Sequence, residues 1–414
     1  LAQLRLGYSP LIDRARAVVA TRVTIFPDKP DAAIDADALA AVFDEVWPPA
    51  PAAALTLTLR PVDSSPKADD SAPGRAPLPP LLLNPAGEAL LDALLAAPPR
   101  PDRMLELPAF AVADPTRAPA LQALAAAGVR LFVKGRPLAL LPREVQGSLS
   151  HEIVDAGAAR APVPPGTARI GLVHEGVRRD AEIEAAFARG ADLVLGWPLD
   201  DLPAAAGART KVPPDIQVVL ELIAGVDREE PVQRLEATLK RDPTVAFRLM
   251  RYLNSPAFGL TVEIGSFGHA LMMLGYRRLK RWLALLLASA SKAPNAKPLL
   301  YAAVRRGLLM EELGRSGSDA EARGEMFICG VFSLLDRLLD RPFAELLASV
   351  PVPERVQQAL IADAGPFAPF LALVRAIEAE SAYDIREAAD RLLLAPAEVN
   401  RGLIAALAAA RQLD

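Results

Sequence analysis

The sequence predicts an α/β domain followed by an all-helical one, and three observations predict it. Over residues 1–205, short β-like apolar runs alternate with Ala-rich helical stretches. From about residue 215 onward the apolar spacing is almost wholly that of helices. Between them, DLPAAAGARTKVPPD carries the Pro and Gly content of a linker, placed at 206–214. A chain of 414 residues has room for two or three domains. Its 52% hydrophobic and 23% charged residues suit a chain that buries large cores.

The predicted strands are RAVVATRVTIF (16–26), LTLTL (55–59), PLLLN (80–84), MLEL (104–107), VRLFV (129–133), ARIGLV (168–173) and ADLVLG (191–196). AGEALLDALLAA, PTRAPALQALAAAG and RRDAEIEAAFARG follow three of them as helices. Strand and helix in succession predict a largely parallel sheet. A small (β/α) barrel and an open doubly wound sheet both satisfy that pattern. Residues 48–80 are too rich in Pro for helix or central strand and are expected to form a surface excursion.

In the second region, PVQRLEATLK places Val232, Leu235 and Leu239 on one helical face. Asp242 and Pro243 look like cap and first-turn residues of a helix that stops at Asn254-Ser255-Pro256. Ser266 is positioned to cap the next helix, Gly275 to interrupt it, and Leu279, Leu283 and Leu286 to line the inner face of its continuation. Helical patterning runs on to the C-terminus.

Composition excludes several classes. A net charge of −4 gives no support to a whole-chain nucleic-acid binder. One cysteine, Cys329, excludes an intrachain disulfide framework and is expected as a small buried residue. LAQLRLGYSP lacks the apolar core of a signal peptide, and the apolar run from Trp282 is about half of a membrane span. The expectation is a soluble cytoplasmic protein with no membrane partner.

The three histidines, His151, His174 and His269, precede Glu, Glu and Ala, so the chain contains no His-Asp pair; HExxH and CxxC are absent too. His269 is expected to be a hydrogen-bonded core residue. Phosphate loops and GxSxG elbows are likewise missing. Carboxylates remain. In a barrel, strand C-termini converge on one mouth, which here would present Asn84, Glu106, Lys134 and Glu175. Asn and Glu are hard oxygen donors suited to Mg²⁺, whereas the Lys134 charge opposes a divalent ion. The set falls short of a two-metal hydrolase, and no cofactor is expected. YRRLKRW (276–282) is the strongest basic cluster, either a phosphate- or acid-binding stripe or the solvated face of an amphipathic helix.

LKRDPTVAFRLMRYLNSPAFGL followed by IGSFGHALMMLGYRRLKRWL resembles the HDOD family, a helical module related to HD phosphohydrolases but lacking their metal ligands. The likeness extends through 215–414, with Ser333 to Asp336 standing where an HD enzyme would carry its His-Asp pair. The first region resembles an EAL domain, a barrel that hydrolyses cyclic di-GMP. YSPLIDRARAVVATRVTIFP looks like its first strand, and VHEGVRRDAEIEAAFARGADLVLGWPL looks like its closing segment. The match departs where chemistry matters. The metal-binding Glu aligns with Arg22, the tandem Asp with Lys134 and Gly135, and the late Gln with Leu195, while Asn84, Glu106 and Glu175 survive.

The resemblance implies a degenerate, non-hydrolysing EAL-like barrel coupled to an HDOD interaction platform in cyclic di-GMP-related bacterial signalling. Arg22, Lys134 and Arg136 would turn a metal site into an anion site, with a cyclic dinucleotide as the candidate ligand. Weak phosphodiesterase activity, and nucleic-acid binding through 276–282, are the alternatives. Other signalling proteins are the expected partners, and the Ala- and Leu-rich C-terminal helices leave room for a homo-oligomer. Asn254, Tyr276, Arg277, Arg278, Lys280 and Arg281 are the candidate partner surface. Charge reversal at Arg277, Arg278 and Arg281 is expected to weaken partner capture without unfolding.

Overall fold

The computed structural model describes residues 1–29, 36–46, 81–135, 141–157, 170–201, 214–242, 266–289, 295–343, 346 and 352–410. The Pro-rich stretch 48–80 with its LTLTL run, linker residues 206–213, Arg136, and the segment 243–265 that includes Asn254 lie outside the described residues.

Eight strands close into a barrel in chain order. They are β1 (Leu4–Ile12), β2 (Val18–Pro27), β3 (Leu81–Pro85), β4 (Arg103–Pro108), β5 (Arg130–Lys134), β6 (Leu149–Asp155), β7 (Gly171–Glu175) and β8 (Leu193–Leu195). Strands β2 to β8 run parallel, and β1 is antiparallel to both its neighbours. Closure decides between the barrel and the open sheet that the alternation left level.

Two strands escaped the apolar pattern. β1 contains Gly7 and Pro10, residues that usually punctuate strands. It joins β2 through a tight turn in which the Asp13 carboxylate accepts the Ala17 N–H at 2.8 Å and Arg16 is left-handed at φ 60°. The run at 16–26 is therefore the second arm of a hairpin. β6 is broken in sequence by Ser150, His151 and Glu152, yet the last two are buried. His151 lies flat on Phe132, ring centroids 4.4 Å apart.

Helices follow β8: Pro214–Asp227, Val232–Leu239, Phe267–Ser289, Ala296–Leu313, Ala320–Phe332, Leu335–Leu339, Glu354–Ala362, Ala368–Glu378, Ala382–Arg391 and Pro396–Ala410. Ser266 Oγ accepts the His269 N–H at 3.1 Å, a side-chain cap where the sequence placed one. Gly275, at φ 72° and ψ 167°, kinks the Phe267–Ser289 helix, and Leu279, Leu283 and Leu286 beyond it are buried. His269 is half-buried and not a core residue, because it sits on the first turn at the helix edge. Cys329 is fully buried, and burial pushes its thiol up to about 12. Among the described residues no single helix is long and apolar enough to cross a membrane.

The helical half closes over the barrel. Its last three helices pack on β1, and one apolar cluster runs from Leu6, Tyr8 and Ile25 to Leu371, Ile377 and Leu403. Each such fully buried side chain contributes about 1.5–3 kcal/mol. β1 pairs with β8 only at Leu11 and Ile12, leaving the rest of that edge unpaired by β8. Asn400 serves this edge from the last helix. Its side-chain oxygen accepts the Leu6 N–H at 3.1 Å, and its amide donates to the carbonyls of Leu1 and Leu4 at 2.9 and 2.8 Å. Trp197 Nε1 donates to the Tyr8 carbonyl at 3.1 Å further along.

Candidate functional site

Strand periodicity builds the mouth of the barrel. Side chains two apart share a face, and an apolar floor of Ala20, Leu82, Met104, Phe132, Ile153 and Val173 fills the interior. Two residues further along the same strands stand Arg22, Asn84, Glu106, Lys134, Asp155 and Glu175. The floor excludes water from below, and the polar ring above it opens into a cavity of about 790 Å³. On β8 the same step runs from Leu193 to Leu195, so that strand adds no polar group to the ring.

Arg22 is the hub. Its Nη2 donates to Glu106 at 2.7 Å, while Nη1 lies 3.3 Å from Glu380 and 3.7 Å from Glu175. Lys134 Nζ lies 2.7 and 2.8 Å from the two carboxylate oxygens of Glu175. Burial opposes the Arg22 charge, but Glu106, Glu380 and Glu175 overcome it and hold the guanidinium above its ordinary range. Glu106 is buried almost completely. Desolvation pushes its carboxyl up to about 6 despite the pull of Arg22 and Lys134. Three carboxylates thus face two cations, so the cluster keeps a net negative charge, with both barrel glutamates paired to a cation.

The helical half supplies groups that strand reasoning missed. Glu380 follows the Ala368–Glu378 helix and takes a 2.5 Å hydrogen bond from Thr24 Oγ1, which in turn accepts from Asn84 Nδ2 at 3.1 Å. Higher in the cavity wall, buried Arg306 grips Glu378 with 2.8 and 2.7 Å bonds and donates to Ser333 Oγ at 3.0 Å. Thr21 Oγ1 meets Tyr301 OH at 2.6 Å across the same junction. Asp155 belongs to the strand that was not foreseen. Nothing near Arg22 in sequence points to Glu380, 358 residues away.

The structure therefore brings Arg22, Asn84, Glu106, Lys134 and Glu175 together. Gly135 is the left-handed residue, φ 105°, that turns the chain off the end of β5. The basic cluster is arranged differently from a free cationic stripe. Lys280 pairs with Asp227, Arg281 with Glu311 at 2.8 Å, and the Arg281 guanidinium lies 3.9 Å over the Phe327 ring. Tyr276 OH donates to the Glu230 carbonyl at 3.1 Å. The Arg277 and Arg278 side chains lie outside the described set.

Comparison with known proteins adds the following. The HDOD domain family matches residues 212–339. The uncharacterized protein YuxH of Bacillus subtilis is 30% identical over 165 residues, 39% of this chain and 40% of its own length. The cyclic di-GMP phosphodiesterase CdgJ of Vibrio cholerae serotype O1 is 27% identical over 168 residues, 40% of this chain and 39% of its own. The chain thus spans about two fifths of the length of these curated relatives. The solved PaMucR phosphodiesterase in complex with c-di-GMP overlaps 48% of this chain and 91% of its own. Its 17% identity and TM-score of 0.28 are too low to carry an argument.

Proposed function

We propose that the chain is a non-catalytic signal-transduction protein of cyclic di-GMP-related regulation, in which an inert EAL-like barrel is coupled to an HDOD-type interaction platform. The observation that carries this reading is the buried Arg22 guanidinium. It lies between Glu106 and Glu175, the two carboxylates a divalent cation would need, and Lys134 holds both oxygens of Glu175. A divalent cation there would meet two fixed positive charges within a few ångströms, with Glu106 and Glu175 already paired to them. This donor set does not fit Mg²⁺ or Mn²⁺.

The HDOD match and the cyclic di-GMP phosphodiesterase among the relatives support the signalling context. Other signalling proteins are the partners this reading implies. The test is turnover of cyclic di-GMP by the purified chain with Mg²⁺ or Mn²⁺, products separated by chromatography. No linear dinucleotide is expected. Turnover that disappears in Glu106→Gln would instead make the chain a weak phosphodiesterase.

A further inference from the structure

We infer that Glu380 is a built-in occupant of the barrel mouth, standing where a phosphate or phosphodiester anion would meet Arg22, so that one contact both fills the site and fastens the helical half to the barrel. This deepens the proposed function and rests on its reading of the mouth as a place that holds an anion without cutting it.

Glu380 sits between two helices, after Ala368–Glu378 and immediately before Ser381, whose hydroxyl caps the Ala382–Arg391 helix. Its backbone is left-handed at φ 53°, ending the preceding helix with the Ser381 N–H reaching back to the Ala376 carbonyl at 3.3 Å. β1 packs against this turn. Gly7 faces this turn, and a Cβ there would lie 3.0 Å from the Glu380 Cα, its Cγ and the Ile377 carbonyl. A glycine inside a strand weakens the strand, and close approach of another backbone is what such a residue permits.

The two carboxylate oxygens of Glu380 take separate donors from successive inward positions of β2. Oε1 accepts from Thr24 and Oε2 faces Arg22. Two non-bridging oxygens of a phosphate group present the same pair of acceptors. Arg22 is suited to the exchange because it is buried, permanently charged and has an Nε with no hydrogen-bond partner. The 790 Å³ cavity over it has the size of a small-molecule site. An anion that takes Arg22 must displace Glu380, and displacement loosens the junction. Ligand and closure are therefore linked, each weakening the other.

The experiment uses the full chain as wild type, Glu380→Gln and Gly7→Ala. The first variant removes the charge, and the second pushes the turn outward while leaving every group of the mouth intact. Cyclic di-GMP and inorganic phosphate are titrated separately by calorimetry, and hydrogen–deuterium exchange is followed over residues 368–391. Both variants are expected to bind at least one probe roughly tenfold or more tighter than wild type, the worth of one charge-assisted hydrogen bond. Exchange over 368–391 is expected to quicken in both. A gain for phosphate alone assigns a simple phosphate site, and a gain confined to cyclic di-GMP assigns a dinucleotide. Two variants that fold normally but keep wild-type exchange, or wild-type affinity for both probes, overturn the inference. Turnover of cyclic di-GMP by the wild type would sink the non-catalytic reading while leaving the exchange comparison intact.

Discussion

Arg22 illustrates what a buried charge demands of its neighbours. Removing one partner from a buried ion pair leaves the other uncompensated and costs about 3–5 kcal/mol. Arg22→Met should therefore lower the unfolding free energy measured in urea by about that amount at pH 7, and an unchanged midpoint would mean that Glu106 finds relief elsewhere. His151 makes a second, separable prediction. Burial pulls its imidazole from 6.5 to about 4, so its stabilising contribution is fully present above pH 6.5 and lost as pH falls toward 4. Glu106 acts oppositely, with stability present below about 4.5 and lost as pH rises through about 6. In His151→Gln the change in unfolding free energy between pH 7 and 5 should shift by about 2 kcal/mol in the direction of greater acid resistance. A pH profile parallel to wild type would contradict this. Asn84, Glu106, Lys134 and Glu175 were readable as site residues because strand ends converge in any barrel, whatever the loops do. Arg22 needed the family resemblance, since a lone Arg inside RAVVATRVTIF carries no sign that it is buried. Thr24 and Glu380 were beyond reach, because their meeting depends on how two halves of the chain dock.

At the scale of elements, the Phe267–Ser289 helix was legible down to its Ser266 cap and Gly275 break, both local effects of backbone chemistry. β1 and β6 were not, because burial there is decided by neighbours: a glycine admits another turn, and a histidine stacks on a phenylalanine. The basic cluster divides the same way. Its charges were plain in the sequence, but their partners on other helices were not. Arg281 joins its helix to Glu311 and covers Phe327, so Arg281→Glu places like charges together and removes a cation–π contact. A loss of about 1–3 kcal/mol in thermal or urea unfolding is expected, against the sequence-based expectation that charge reversal there leaves folding intact. An unchanged melting temperature would return Arg281 to the role of a partner contact.

For the whole molecule, the barrel and the helices share one apolar cluster, and β1 takes part of its hydrogen bonding from the last helix. Residues 1–205 produced alone should therefore expose an apolar face and an open strand edge. Such a fragment is expected to bind a hydrophobic dye strongly and to lack the near-ultraviolet circular dichroism of a packed core. A monomeric fragment with sharp tertiary signals would show that the barrel stands by itself. The α/β and all-helical halves were legible from periodicity, whereas their fusion was not, since each half satisfies its own spacing rules separately.

The Asn400 clasp also sets a timetable. Leu6 emerges from the ribosome 394 residues before the side chain that accepts its N–H. At about 5–20 residues per second, that interval lasts about 20–80 s. Through it the nascent barrel carries an incomplete seam, exposed to chaperones and to the edges of neighbouring chains. Closure of the first strand in this sense waits on that distant residue, and mutations in the Pro396–Ala410 helix would surface as poor yield of the barrel before they altered anything the mouth does.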